Sequence, residues 1–240
     1  MVTFLFFVIC GRAFGQNLTK IQREYFILGT LDDYMGRNAD PRFAKMLDRY
    51  YANEGPLLTT IDSLLKIDYS ESVYNVQRNI DTLGNPMSFS IYSDTLAKKY
   101  NSYYTFKPSG SFTVDADPEL DSKPILLGAL KPDIFKTDSV KLAFLAGTYV
   151  RFGFENDTAY MLNMGNSLSK AKICYQLLKE FNCRPYYEIL KNNIPVMHHV
   201  YFHPSAQVAA YMQRYMYLRK QLAANLMAIF KKMISDDKKR

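Results

Sequence analysis

The apolar residues of this chain change their period along its length, and that change limits its fold more than any other property. Residues 19–35 carry Ile21, Tyr25, Leu28, Leu31 and Tyr34 at three-and-four spacing, which predicts a helix closing near Gly36. Asp40-Pro41 reads as an N-cap followed by proline at the first helical position, with Phe43, Met46, Leu47 and Tyr50 as the buried stripe of a second helix. Gly55-Pro56 is expected to break it, and Leu57, Leu58, Ile61, Leu64 and Leu65 mark a third. Then the period shortens. Met87-Ser88-Phe89-Ser90-Ile91-Tyr92 alternates apolar and polar, as a half-buried strand does. Residues 102–107 and 111–115 fit a strand pair around Pro108-Ser109-Gly110.

Residues 116–136 hold Pro118, Pro124 and Pro132, so they read as a loop or short pieces and as a boundary between sub-regions. Beyond it the helical period returns. Thr137-Asp138 caps a helix through Phe152, closed by Gly153, and residues 158–164 form a strand. Ser167 or Ser169 opens a helix with Ile173, Leu177, Leu178 and Phe181 facing inward. Residues 185–190 and 195–202 are extended, separated by Asn192-Asn193, and one long helix follows Pro204-Ser205. No internal repeat or low-complexity tract stands out. The fold class is α+β and helix-rich: N-terminal helices, a small mixed or antiparallel sheet, and a long C-terminal amphipathic helix.

The first fifteen residues read as an address. Val2 to Cys10 is an apolar run of signal-peptide length, short of the ~20 residues needed to span a bilayer. Ala13 and Gly15 then give the small-x-small pattern that a signal peptidase accepts, so cleavage is expected before Gln16. No Lys or Arg precedes the run, and a buried N-terminal strand or helix is the competing reading. Ile9 before Cys10 argues against a lipid anchor. The expectation is a signal peptide at 1–15 and one α+β domain at 16–240, without a transmembrane segment, exported to a periplasmic or extracellular space.

Three histidines, His198, His199 and His203, are all that the chain contains, and they fall within six residues. Imidazole binds zinc or copper through a neutral ring nitrogen, so these three are the candidate metal ligands. Were the segment a strand, His199 and His203 would share one face and His198 the other. No HExxH or paired CxxC supplies further ligands, so solvated or packed strand histidines are the plainer reading. No other cofactor is implied.

The acids at Asp115, Asp117, Glu119 and Asp121 lack the glycine and glutamate of a calcium loop and read as a solvated loop. Residues 161–169 run from strand to helix with the single Gly165, matching no phosphate-binding fingerprint. Paired tyrosines at 50–51, 103–104 and 186–187 read mostly as core in a chain with no Trp. Cys174 and Cys183 read as separate thiols.

Charge adds a partner class and then removes it. The chain carries +7; without residues 1–15 it holds 29 bases against 23 acids, or +6. Residues 219–240 carry +5 of this, leaving +1 on residues 16–218. That distribution suits an anionic surface at one end rather than nucleic acid. In the terminal helix Val208, Tyr215, Leu222 and Ile229 recur every seven residues, a stripe able to meet a partner chain or its own domain. With no catalytic motif in view, the sequence points to an exported, non-enzymatic protein that binds protein or envelope components. The alternative is a metal-dependent or histidine-based hydrolase centred on His198, His199 and His203.

Overall fold

The computed structural model describes residues 18–33, 37–39, 43–82, 84, 86–108, 125–155 and 159–237. The expected signal peptide, the Asp40-Pro41 cap, the 111–115 strand and the acids from Asp115 to Asp121 lie outside the described residues. The class is α+β, with small antiparallel sheets among the helices.

Helix α1 (Lys20–Thr30) starts at a capping box in which Thr19 and Gln22 satisfy each other's backbone N–H groups. Strand β1 (Arg37–Ala39) and strand β2 (Met46–Tyr51) follow, then helix α2 (Gly55–Asp68), strand β3 (Asn75–Ile80), strand β4 (Pro86–Tyr92) and helix α3 (Asp94–Asn101). Strands β5 (Tyr104–Pro108) and β6 (Leu126–Leu130) come next. The second half is helix α4 (Asp138–Phe152), strands β7 (Gly153–Glu155) and β8 (Tyr160–Gly165), helix α5 (Leu168–Glu180), strands β9 (Tyr186–Leu190) and β10 (Met197–Phe202), helix α6 (Ala206–Gln213) and helix α7 (Met216–Asp237).

Helix–strand–strand–helix–strand–strand–helix therefore occurs twice, from α1 to α3 and from α4 to α6. The sheets repeat as well. The first half forms the order β2-β4-β3 and the second β7-β8-β10-β9, so β2, β4 and β3 match β8, β10 and β9. Strand β1 instead pairs with β6 in a separate sheet, β1-β6-β5. The expectation of no internal repeat is corrected here.

The two halves meet through α1 and α4, the most extensively packed pair of elements. Each helix holds one short stretch with the same pattern, Phe26-Ile-Leu-Gly29-Thr30 and Phe144-Leu-Ala-Gly147-Thr148. The contact is reciprocal. A Cβ on Gly29 would run into the carbonyl oxygen of Phe144, and one on Gly147 into that of Phe26. The same added atoms would sit 2.8 Å from the Thr148 nitrogen and 3.3 Å from the Gly29 Cα. Only glycine lets the two backbones come this close.

Two sequence expectations give way to geometry. The stripe Phe43, Met46, Leu47 and Tyr50 belongs to strand β2, not to a helix. A bulge between Met46 and Asp48 lets Leu47, Asp48 and Tyr50 all be buried, and the extra residue counterfeits a helical spacing. Gly55-Pro56 opens α2 instead of ending a helix, because proline's missing N–H costs nothing in the first turn. The long terminal helix is broken at Arg214–Tyr215, where Tyr215 stacks on Phe26 with ring centroids 4.7 Å apart. Val208, Tyr215 and Leu222 of the seven-residue stripe are buried in this core, whereas Ile229 lies beyond it and is exposed. No helix among the described residues is long and apolar enough to cross a membrane.

Substituting either close-contact glycine should be costly. Gly29→Ala and Gly147→Ala each push a methyl into backbone and should lose about 3 kcal/mol or more in urea unfolding. Gly55→Ala, with nothing within 4 Å of the added atom, should be neutral or gain up to about 1 kcal/mol.

Candidate functional site

Below the glycine contact the two central helices end in buried charge. Arg151, four residues after Gly147, uses all five of its donors. Its Nε and Nη2 donate to Glu54 at 2.8 and 3.1 Å, Nη1 to Asp48 and the Thr30 carbonyl at 2.6 and 2.7 Å, and Nη2 to the Arg49 carbonyl at 2.7 Å. Asp33, four residues after Gly29, meets Lys170 at 3.5 Å and accepts a hydrogen bond from Ser167. Lys170 also donates to the Gly29 carbonyl at 3.3 Å and to that of Leu31. Equivalent positions thus reach across to the other half with opposite sign: acid to base from the first half, base to acid from the second. The cations also meet the free carbonyls at the end of α1, where a helix favours positive charge.

Burial pushes the Asp48 carboxyl up, and Arg151 works against that shift. The Cys174 thiol is pushed up to about 12 by burial, and Cys174 and Cys183 are both buried and free. The Cys174 thiol is therefore not set up as a nucleophile at neutral pH.

Two sheet faces turn away from this core, and they differ in chemistry. Cross-strand register on the first sheet sets Arg49 beside Ser90 and Gln77, Tyr51 beside Ser88 and Asn79, and Tyr92 beside Asn75. Arg49, Tyr51, Asn75 and Gln77 are exposed. Asn79 Nδ2 donates to the Ser88 and Ser90 hydroxyls at 3.0 and 3.1 Å. The opposite face, with Tyr50, Phe89 and Ile91, packs on the core. The outward side thus presents amides, tyrosine hydroxyls and one guanidinium above the buried Ser88 and Ser90, with no carboxylate among its described residues.

On the second sheet the register sets Phe154, Met161, Tyr201 and Tyr186 in one row across four strands. Asn163, His199 and Glu188 form the next row, and Gly165, Met197 and Leu190 the third. Phe154 and Tyr186 are 55% and 62% exposed.

The candidate metal ligands separate along β10 and beyond it. His198 turns toward the core, its Nδ1 2.7 Å from the Tyr187 hydroxyl. His199 turns outward, its Nδ1 3.1 Å from the Tyr201 hydroxyl and 3.9 Å from Glu188. His203 follows the strand, exposed, its backbone N–H donating to the Cys183 carbonyl at 3.1 Å. Among the described residues no three His, Cys, Asp or Glu side chains come together as a metal would need. The charged network, by contrast, was invisible along the chain. Its one outward sign is the shared Phe-x-x-Gly-Thr pattern, which brings positions 33 and 151 into equivalence.

No family model matches this sequence, and no curated protein matches it. The fold is similar to the solved structure of I-DmoI in complex with DNA and calcium, at 11% identity and a TM-score of 0.48 over 83% of this chain and 88% of that one. It is also similar to the homing endonuclease I-WcaI bound to its DNA recognition sequence, at 12% identity and a TM-score of 0.39 over 83% of this chain and 90% of that one. Both of those structures hold DNA. On that finding several expectations are corrected. The signal peptide and export, the non-enzymatic binding of protein or envelope components, the histidine-centred hydrolase and the exclusion of nucleic acid as partner are set aside. The export reading drew on residues 1–15 alone. The hydrolase reading drew on a cluster that β10 divides between two faces. Neither reading drew on the fold.

Removing one partner from the buried network should be severe. Lys170→Met strands the Asp33 carboxylate and Arg151→Met strands Asp48 and Glu54, each costing about 3–5 kcal/mol in denaturant unfolding. A second expectation concerns pH. Burial, then His199 and Lys172, hold His198 below its ordinary value, so the fold favours the neutral ring. Its contribution is full above the unfolded value near ~6.5 and is lost as pH falls toward the lowered one. Unfolding free energy should therefore drop between pH 7 and pH 5, and His198→Gln should make that drop shallower.

Proposed function

We propose that this protein binds duplex nucleic acid through the outward face of its first sheet, reading base edges there. One observation carries the reading: Arg49, Asn75, Gln77 and Asn79 lie in register across β2, β4 and β3, with Tyr51 beside them and no carboxylate on that face. Amide side chains pair two-pronged with adenine N6 and N7, and arginine with guanine O6 and N7, so such a row is suited to telling base pairs apart. A small antiparallel sheet or two-stranded ribbon fits the ~12 Å major groove of B-form DNA, whereas the major groove of A-form RNA is too narrow to enter. The substrate class is therefore duplex DNA.

Charge supports contact with phosphates. Arg49 lies on the face, Lys45 precedes β2, and the +5 of residues 219–240 adds a cationic segment. Phosphate contacts position such a protein, and the amide row would specify the sequence.

Selection from a randomised duplex library at fixed salt tests the reading. The protein should enrich a defined site. Gln77→Ala or Arg49→Ala should each weaken that site by about 1–3 kcal/mol and relax preference at one or two base positions. Affinity should also fall steeply with added salt. An absence of duplex binding at low salt, or equal binding by the alanine variants, would refute it.

A further inference from the structure

We infer that the outward face of the second sheet is a separate site for unpaired bases of single-stranded nucleic acid, stacking them on its aromatic row. The inference is independent of the duplex reading of the first sheet, and the two fail in different assays.

The face has the three parts that such a site needs. Its sheet is four-stranded and antiparallel, β7-β8-β10-β9, so rows of side chains run straight across it. The first row holds Phe154, Tyr201 and Tyr186, with Met161 between the first two. The Tyr186 and Tyr201 rings stand 6.2 Å apart and 31° from parallel, with Tyr186 exposed and Tyr201 half-buried. Phe154 and Tyr186 are more than half exposed, an unusual cost for aromatic rings that nothing among the described residues covers. A single strand would cover them, because every base has an apolar face and stacks without regard to sequence.

The second row, Asn163, His199 and Glu188, can meet the edges of bases held on the first. Splayed bases are read on their Watson–Crick and Hoogsteen edges. Asn163 offers both donor and acceptor, and Glu188 accepts from exocyclic amines. His199 is held in place at 3.1 Å by the Tyr201 hydroxyl, so the reading row is anchored to the stacking row.

The Phe154 end supplies a place for phosphate. Phe154 and Asn163 line a cleft of about 190 Å³ with Arg219 and Asn53, and its other charged groups, Arg151 and Glu54, are paired with each other. Arg219 donates to the Val150 carbonyl at 3.2 Å, and burial lowers its pKa, so it is a partly desolvated cation beside the aromatic row. Glu188 lies at the other end of the face, which sets a direction for the strand: phosphate toward Phe154, amine-bearing edges toward Tyr186. A protein interface would fit the apolar rings but gives no reason for the partly desolvated Arg219 guanidinium beside them.

The test is fluorescence anisotropy of labelled twelve-nucleotide oligomers, as DNA and as RNA, with duplex DNA of the same length as the comparison. The full chain should bind the single strands. Tyr186→Ala, Tyr201→Ala and Phe154→Ala should each lower single-strand affinity about tenfold, and more than they lower duplex affinity. Tyr186→Phe, which keeps the ring, should retain the affinity lost in Tyr186→Ala. Circular dichroism melts of each variant separate lost binding from lost folding, and the exposed Phe154 and Tyr186 serve if Tyr201→Ala does not fold. The inference is overturned if the wild-type chain does not bind single strands at 50 mM salt, about the low end of the range where phosphate contacts act. It is overturned equally if the alanine variants bind as well as wild type, if Tyr186→Phe loses as much as Tyr186→Ala, or if single-strand and duplex affinity fall in step.

Discussion

The reciprocal approach of α1 and α4 is the contact on which the other elements depend. Each helix lends its glycine to the carbonyl three residues before the other's, so neither backbone can shift without displacing its counterpart. Because the spacing is set by backbone, it does not relax as a side-chain contact would. The sheets are placed from there. α1 leads into β1 and β2, and α4 runs directly into β7, so the distance between the helices sets where both sheets begin. Phe26 and Phe144 sit at the same point of each helix, and their rings extend the contact outward, to Tyr215 at 4.7 Å and Phe135 at 4.8 Å.

Beneath the glycines the near-symmetry is broken by charge. Positions 33 and 151 are equivalent in the repeat, but one is an acid and the other a base, and each is answered from the opposite half. Buried ion pairs contribute little net stability against an apolar replacement, because desolvating both partners offsets most of their attraction. Their effect is on arrangement. The five satisfied donors of Arg151 define one position for β2, for the end of α1 and for the start of α2, which is a demand on geometry that an apolar side chain would not make.

Much of the architecture could be read along the chain wherever one period ran undisturbed. The helix from Asp138 to Phe152 with its closing Gly153, the strand through Phe89 and Ile91, and the hairpin either side of Asn192-Asn193 all follow from spacing and punctuation. Strand β2 was hidden by its bulge, which spaces Leu47 and Tyr50 as a helix would. Strand β3 was hidden for another reason. It lies at a sheet edge, so Val76 and Ile80 are exposed along with Asn75 and Gln77, and burial imposes no alternation. That strand carries half of the candidate site, so the face could not be seen before its pairing with β4 was known. The repeat was missed because only Phe, Gly and Thr of its five-residue stretch are shared between the halves, and the charged network because its members lie up to about 140 residues apart and meet only when the helices do.

The exchange of signs between the halves has a consequence for how the chain could be divided. Two first halves brought together through their glycines would set Asp33 beside Glu54 and Asp48, a cluster of carboxylates with no cation among them. Two second halves would set Arg151 against Lys170. Only the mixed pairing neutralises both ends, so the halves, made as separate polypeptides, would sort into unlike pairs. The single chain is in that sense a heterodimer whose subunits are joined, with its partner choice already written into five buried side chains.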